Sequence, residues 1–253
     1  RRTLLLPLMP HRINDGRRSI GRSLGSVLSR TLSKRRACYP TVSRSKALDF
    51  FELAAARHSV RKYEPGIEIN DTDLRQIFDT VILSPSSFNI QHWKFVVVRD
   101  QPAKQRLREV SYGQAQVEDA AAVIVVCGTL DAYRDAPRIY GDADEATQQK
   151  YVPMIEGSYD GQEALQREEA VRSGALAAMS LMYAAKAVGW DSGPMIGFDA
   201  AKVAAMLALD SNTVPVMMIV VGKSLGGEQP QRGYRRPISE VVKLERFDGD
   251  SLS

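Results

Sequence analysis

The sequence predicts an α+β protein in which helices and strands interleave around one central sheet. Three observations carry that prediction. Helical-period and strand-like patterns alternate from about Lys46 to the C-terminal region. Two apolar runs, Val123-Ile124-Val125-Val126-Cys127 and 214–221, have the β-branched composition of buried strands. A pattern from about Gln162 to Val188, rich in Gly174, Ala175, Ala177, Ala178, Ser180, Ala184 and Ala185, reads as one long helix. Small side chains there suit either tight core packing or the approach of a flat ligand.

The elements follow in order. Leu48, Phe51, Leu53, Ala54 and Ala55 recur at helical spacing, ending near Arg57-His58-Ser59. The Pro65-Gly66 pair marks a turn after Tyr63-Glu64. Asn70 suits an N-cap, with Asp71 and Asp73 in the first turn, and Leu74, Ile77, Phe78, Val81 and Ile82 line one face. Pro85 stops that helix, and Ser86-Ser87-Phe88-Asn89 reads as a polar loop before a strand at Trp93 to Val98. A short helix is expected over 102–110 and another over 199–208. Residues 131–160 lack periodicity and read as a long surface excursion, functional or partly helical. Gly193 to Phe198 reads as a tight turn, and Ile238 to Leu244 as a last apolar segment.

The 253 residues carry a net charge of +4 and a pI near 9.1, which invites an anionic partner such as nucleic acid. Position removes the invitation. Residues 1–46 hold ten arginines, two lysines and one acid, for +11, which leaves 47–253 at −7. Domain reasoning therefore separates a basic, Ser-rich leader (1–46) from an acidic body (47–253), and no nucleic acid is expected on the body. The leader has the composition of an organellar transit peptide. It equally suits a disordered arm, or upstream sequence translated from a misplaced start, with the true start near Val42 or Leu48. Without a transit peptide the expected location is the bacterial cytoplasm. No run approaches eighteen apolar residues, so no membrane helix is expected. Two cysteines make no disulfide scaffold.

The chemistry inventory is mostly negative. His11, His58 and His92 stand far apart without cysteine pairs, so no metal spacing exists. G-x-S-x-G and G-x-G-x-x-G are absent, and Gly222-Lys223-Ser224 fails as a P-loop because Met217 occupies the required glycine position. Cys127 ends an apolar strand and reads as a packing residue. A sequence without an acid–base constellation favours chemistry carried by a cofactor.

Four clusters lie at the ends of regular elements and could hold such a group. Arg57, Ser59 and Arg61 offer charge-assisted hydrogen bonds to a phosphate or an electron-rich ring oxygen. Pro85, Ser86, Ser87, Asn89 and Gln91 pack hydroxyls and amides into one Pro-bounded loop. Gly193 to Phe198 offers backbone N–H groups to a flat ring, and Arg232, Arg235 and Arg236 could close over a phosphate. In this order and spacing, Arg57-His58-Ser59-Val60-Arg61, Ser84 to Trp93, Met195-Ile196-Gly197-Phe198-Asp199 and Arg235-Arg236-Pro237-Ile238 resemble the FMN-dependent nitroreductase family over about Leu48 to Val242.

The resemblance implies a three-layer α/β/α sandwich with a mixed, mainly antiparallel sheet, assembled as an intertwined homodimer with non-covalent FMN at the subunit interface. It implies NAD(P)H as co-substrate and ping-pong transfer through flavin N5 to a nitroaromatic, quinone or similar acceptor. No catalytic side chain is implied, because the flavin carries the chemistry. On the cofactor it places Arg57, His58, Ser59, Arg61, Pro85, Ser86, Ser87, Asn89, Gln91, Gln114, Pro194, Met195, Ile196, Gly197, Arg235 and Arg236. Arg57 and Ser59 would take the phosphate and ribityl end, with Arg61 at the N1/O2 edge. The 86–91 loop would come from the other subunit, and Ile196 and Gly197 would lie near N5. Either Gln114 or Gln116 would bring an amide near the ring, and either Arg235 or Arg236 would return to the phosphate. His58, His92 and Ile196 depart from common family residues and leave the substrate open. A specialised relative on the same fold (dehydrogenation, dehalogenation or flavin conversion) or a non-catalytic FMN binder remain the alternatives.

Overall fold

The computed structural model describes residues 49–227 and 231–252. The chain divides into Arg1–Arg44 and Ser45–Ser253, so the leader, the start sites weighed near Val42 and Leu48, and the first turn expected at Leu48 lie outside the described residues.

The helices are α1 (Phe50–Ala56), α2 (Asp71–Val81), α3 (Gln101–Glu109), α4 (Ala115–Asp119), α5 (Ala136–Ile139), α6 (Glu145–Tyr159), α7 (Glu163–Ala187), α8 (Ala200–Met206) and α9 (Ile238–Val241). Strands β1 (Trp93–Val98), β2 (Ala122–Thr129), β3 (Asp191–Met195) and β4 (Thr213–Gly222) form one sheet in the order β1-β2-β4-β3. All neighbours in it are antiparallel. The mixed character expected for the sheet is confined to one parallel bridge, Ser59 to Ser192.

Alternation along the strands builds three layers. Ile124, Val126, Ile219 and Val221 face α2 and α7, where Ile77, Val81, Ala177, Leu181 and Ala185 complete a core. Val123, Val125, Cys127, Met218 and Val220 face the other way onto Leu107, Val117 and Val203 of α3, α4 and α8. With both faces covered, β2 is buried at every residue, which explains why it reads as a continuous apolar run. The small residues of α7 serve this packing. A side chain at Gly174 would meet Val216 at 3.0 Å, and one at Gly128 would meet the Ala170 carbonyl at 2.8 Å.

Capping follows the sequence closely. Asn70 Oδ1 accepts from Asp73 N at 2.8 Å, as expected for α2. Asp49 and Glu52 form a reciprocal capping box on α1. That box holds the helix without a buried face, for Phe51 is exposed although its spacing suggested burial, as is Phe50 beside it.

Three expectations need correction. Residues 131–160 are no open excursion: a 3-10 turn (Ala132–Asp135), α5 and α6 bury Ala132, Tyr133, Ala136, Ile155 and Tyr159 in a third core with Ile90. Tyrosines at irregular spacing supply this core, so periodicity could not reveal it. Gly193 is not in a turn but inside β3, whose Gly-Pro composition hides a strand. Ile82 is the exposed C-cap of α2 rather than part of its apolar face.

Residues 57–64 run along the outer edge of β3. Val60 N donates to Ser192 O at 3.0 Å, and Glu64 N donates to Lys223 O at 2.9 Å. Tyr63 is buried across β3 and β4, with its hydroxyl donating to Val60 O at 2.9 Å. Its ring needs two glycines beneath it. A Cβ at Gly222 would sit 2.6 Å from Tyr63 Cδ1, and one at Gly193 would sit 3.0 Å from Tyr63 Oη while colliding with the Val60 carbonyl. Gly193→Ala should therefore destabilise the fold by about 3 kcal/mol through overpacking against backbone. Urea unfolding midpoints check this, and a change below about 1 kcal/mol would contradict the packing described.

Candidate functional site

The first part of the site forms where α1 ends. Arg57 is its C-cap, and the chain leaves in extended conformation with buried Val60 between the exposed Ser59 and Arg61. The Arg232 guanidinium returns from the tail and donates to Ala55 O at 2.7 Å, Arg57 O at 3.0 Å and Ala54 O at 3.4 Å. It thus serves as a side-chain cap for the helix C-terminus. Burial depresses the Arg57 pKa, Arg232 and Arg235 push it the same way, and Tyr183 opposes them. Arg232 is thus held beside Arg57, while the Arg235 guanidinium donates to the Gly233 and Tyr234 carbonyls at 3.1 and 2.9 Å. Arg236 is turned away, 3.6 Å from Glu240, and His58 Nδ1 is engaged with Ala56 O at 2.9 Å.

The second part is the loop before β1. Phe88, Asn89 and Gln91 all adopt left-handed φ, at 49°, 55° and 58°. Such non-glycine residues cost of order 1 kcal/mol or more each and persist only where surroundings fix them. The fixing contacts are visible. Ser86 Oγ accepts from Gln91 N at 2.8 Å, and Gln91 Nε2 donates to Asn89 O at 3.2 Å. Tyr159 Oη donates to Ser87 Oγ at 3.0 Å, and Tyr140 Oη donates to Phe88 O at 3.2 Å. Pro85, Asn89 and Gln91 stay exposed. His92 closes the loop, 1% exposed, with Nδ1 3.2 Å from Ser173 Oγ on α7. Burial lowers its pKa from 6.5 to about 4.

The third part is the end of β3. Met195 is buried, whereas Pro194 and Ile196 are exposed. Gln114 Nε2 donates to Gly197 O at 2.7 Å and to Ser111 O at 3.0 Å. Gln116 Nε2 donates in turn to Gln114 Oε1 at 3.2 Å and approaches Met195 Sδ at 3.6 Å. Both glutamines therefore secure the turn at Gly197. A Cβ there would come within 3.0 Å of Gln114 Nε2, and the Gly197 N–H donates to no acceptor among the described residues.

These parts offer cations beside β3, an available backbone donor just past its end, and hydroxyls and amides on a fixed loop at the opposite edge of the sheet. That donor set fits a phosphorylated ligand with a flat, carbonyl-rich ring, as FMN is. Among the described residues no group of histidine, cysteine or carboxylate side chains could hold a metal ion. Sequence reasoning did not single out Tyr140, Tyr159 or Ser173, because their roles arise from contacts over long chain separations. Cys127 is buried, with its thiol pKa raised to about 11 by burial, in keeping with a packing role.

A three-layer fold with this donor set defines a class of cofactor-holding α+β proteins, and comparison with known proteins gives the family. The Nitroreductase family model matches residues 54–223, and the chain belongs to the nitroreductase family. It is 38% identical over 202 residues to MhqN of Bacillus subtilis (strain 168), provisionally named an NAD(P)H nitroreductase. That match covers 77% of this chain and 98% of MhqN. The crystal structure of ydfN from Bacillus subtilis, provisionally described as a nitroreductase, superposes with a TM-score of 0.74 at 38% identity, covering 77% of this chain and 97% of that one. A similarly described protein from Exiguobacterium sibiricum 255-15, solved in complex with FMN, gives a TM-score of 0.72 at 29% identity, covering 79% and 98%.

His92 makes stability pH-dependent. The unfolded state takes up a proton near pH 6.5, whereas the native ring resists protonation until about pH 4. Stability should therefore fall as pH drops through that window, by about 3 kcal/mol at its acid end. Urea titrations at pH 7 and pH 4.5 measure the fall, which His92→Gln should flatten. An unflattened profile would assign the loss to other groups.

Proposed function

We propose that this chain is an FMN-dependent oxidoreductase that draws electrons from NADH or NADPH and passes them to a small acceptor of the nitroaromatic or quinone class. The carrying observation is the Arg232 guanidinium seated on the Ala54, Ala55 and Arg57 carbonyls, which sets a second cation beside Arg57 and suits a phosphate dianion. When bound, FMN would supply the chemistry, accepting hydride from the nicotinamide and yielding electrons to the acceptor in a separate half-reaction. The chain's own residues hold and tune it. Arg57 and Ser59 take the phosphate and ribityl end, with Arg235 rather than the ion-paired Arg236 returning from the tail. Arg61, exposed beside them, supplies fixed positive charge for the electron-rich edge of the ring. The Gly197 N–H, steadied by Gln114, serves as the backbone donor near N5.

A site shared between two copies of the chain belongs to the same reading. The 85–92 loop leads into β1, while residues 57–61 flank β3 at the opposite edge. Three strand spacings, about 14 Å, separate those edges within one chain. In a homodimer the loop of one copy can meet the arginines of the other. A cytoplasmic setting is also part of the proposal; among the described residues no helix is long and apolar enough to cross a membrane.

FMN titration followed by flavin fluorescence tests the reading. Arg57→Ala and Arg235→Ala should each raise the FMN Kd about 10- to 100-fold, the worth of a charge-assisted contact, and riboflavin binding far less. Arg236→Ala should stay near wild type. NADH or NADPH should bleach the bound flavin, and a nitroaromatic or quinone should restore its colour with ping-pong kinetics. Protein that takes up no FMN would overturn the reading, and bound flavin that no nicotinamide bleaches would leave a binder instead of an enzyme.

A further inference from the structure

The helical segment 132–159 reaches the loop of the proposed cofactor site through two tyrosine hydroxyls, of which one meets a side chain. Tyr159, the last residue of α6, is 3% exposed and held from several sides. Its ring stacks on Tyr133 at 5.9 Å and 16°, and the His92 ring lies edge-on at 6.1 Å. Gln166 Nε2 on α7 donates to its carbonyl at 2.8 Å. Tyr133 is anchored in turn, its hydroxyl donating to Asp160 Oδ1 at 3.0 Å. From this fixed mount Tyr159 Oη donates to Ser87 Oγ at 3.0 Å, and Tyr140 holds the neighbouring Phe88 carbonyl.

The direction of that hydrogen bond matters. A phenol is a better proton donor than an aliphatic alcohol, so the tyrosine gives and the serine accepts. An accepting serine keeps its own proton for a second partner, and accepting one bond strengthens the bond it donates. Among the described residues the Ser87 hydroxyl donates to nothing. We propose that Tyr159 is a positioning residue that fixes Ser87 as a hydrogen-bond donor toward the bound flavin, so that the α5–α6 segment tunes cofactor binding. This rests on the FMN reading above. Ser87 then addresses an acceptor atom of the ring, a carbonyl oxygen or unprotonated nitrogen, and Tyr159 acts only through it.

The test is a double-mutant cycle in the full-length protein, read by FMN Kd and by the visible spectrum of bound FMN. Tyr159→Phe and Ser87→Ala should each raise the Kd about five- to tenfold and shift the long-wavelength flavin band in the same direction, as loss of one neutral hydrogen bond implies. The double variant should be no worse than Ser87→Ala alone, since Tyr159 acts only through Ser87. Tyr133→Phe, which removes a hydroxyl from the same cluster without touching the loop, should keep wild-type Kd and spectrum. The proposal is overturned if Tyr159→Phe binds and absorbs like wild type, if the two single effects multiply, or if Tyr133→Phe matches Tyr159→Phe. Should Tyr159→Phe fail to fold, Ser87→Ala decides alone, and an unchanged Kd and spectrum overturn the proposal. Wild-type protein that binds no FMN would sink this inference together with the function on which it rests; FMN binding indifferent to Tyr159 and Ser87 would sink this inference alone.

Discussion

The seating of Tyr63 across β3 and β4 is the contact on which the cationic end of the site depends. Its ring occupies space that only Gly193 and Gly222 leave open, and its hydroxyl returns to the Val60 carbonyl. Burial pushes the pKa of that hydroxyl far up, with Asp191 adding to the effect, so it stays a donor at any ordinary pH. With Tyr63 fixed, residues 57–62 have one path along the edge of β3. The positions of Arg57, Ser59 and Arg61 are consequences of that path. Arg232 completes the arrangement by capping α1, which brings the tail and Arg235 to the same place.

The strained loop is governed differently. Nothing in its own sequence compels Phe88, Asn89 and Gln91 into left-handed backbone, and no glycine eases it. The constraint comes partly from hydrogen bonds within the loop and partly from outside, through Tyr140, Tyr159 and the Ser173 partner of the buried His92. A neutral imidazole is the form that this packing accepts. Acid would therefore weaken the loop's anchor while leaving the charge of the arginines at the opposite sheet edge unchanged.

Much of this was legible in the sequence where pattern and chemistry agree. The strand cores at Val123 to Cys127 and 214–221, the Asn70 cap and the α7 helix follow from period, β-propensity and capping chemistry. The polar clusters were legible because hydroxyls, amides and arginines gather at element ends. Strand β3 was not, since Gly193 serves close approach to Tyr63 rather than strand propensity and Pro194 beside it reads as a turn residue. The α5–α6 core was not, because its tyrosines follow no period and meet Ile90 only in three dimensions. The ion pair between Arg236 and Glu240, which sets two adjacent identical residues apart, is likewise a matter of three-dimensional contact that the sequence cannot disclose.

The burial pattern of the site separates two kinds of residue that sit side by side. Val60, Tyr63, Ile90, His92 and Met195 are buried and hold the fold, while Ser59, Arg61, Asn89, Gln91 and Ile196 are exposed and hold little of it. Substitutions at Ser59, Arg61 and Ile196 shift stability by about 0.5 kcal/mol or less, whereas those at the buried anchors act through cavities and unpaired groups, and those at Asn89 and Gln91 through their left-handed backbone. The exposed residues of the proposed site can therefore change almost independently of folding. That is the property that lets one scaffold diversify: such positions are free to be rewritten, one by one, on a frame that does not notice.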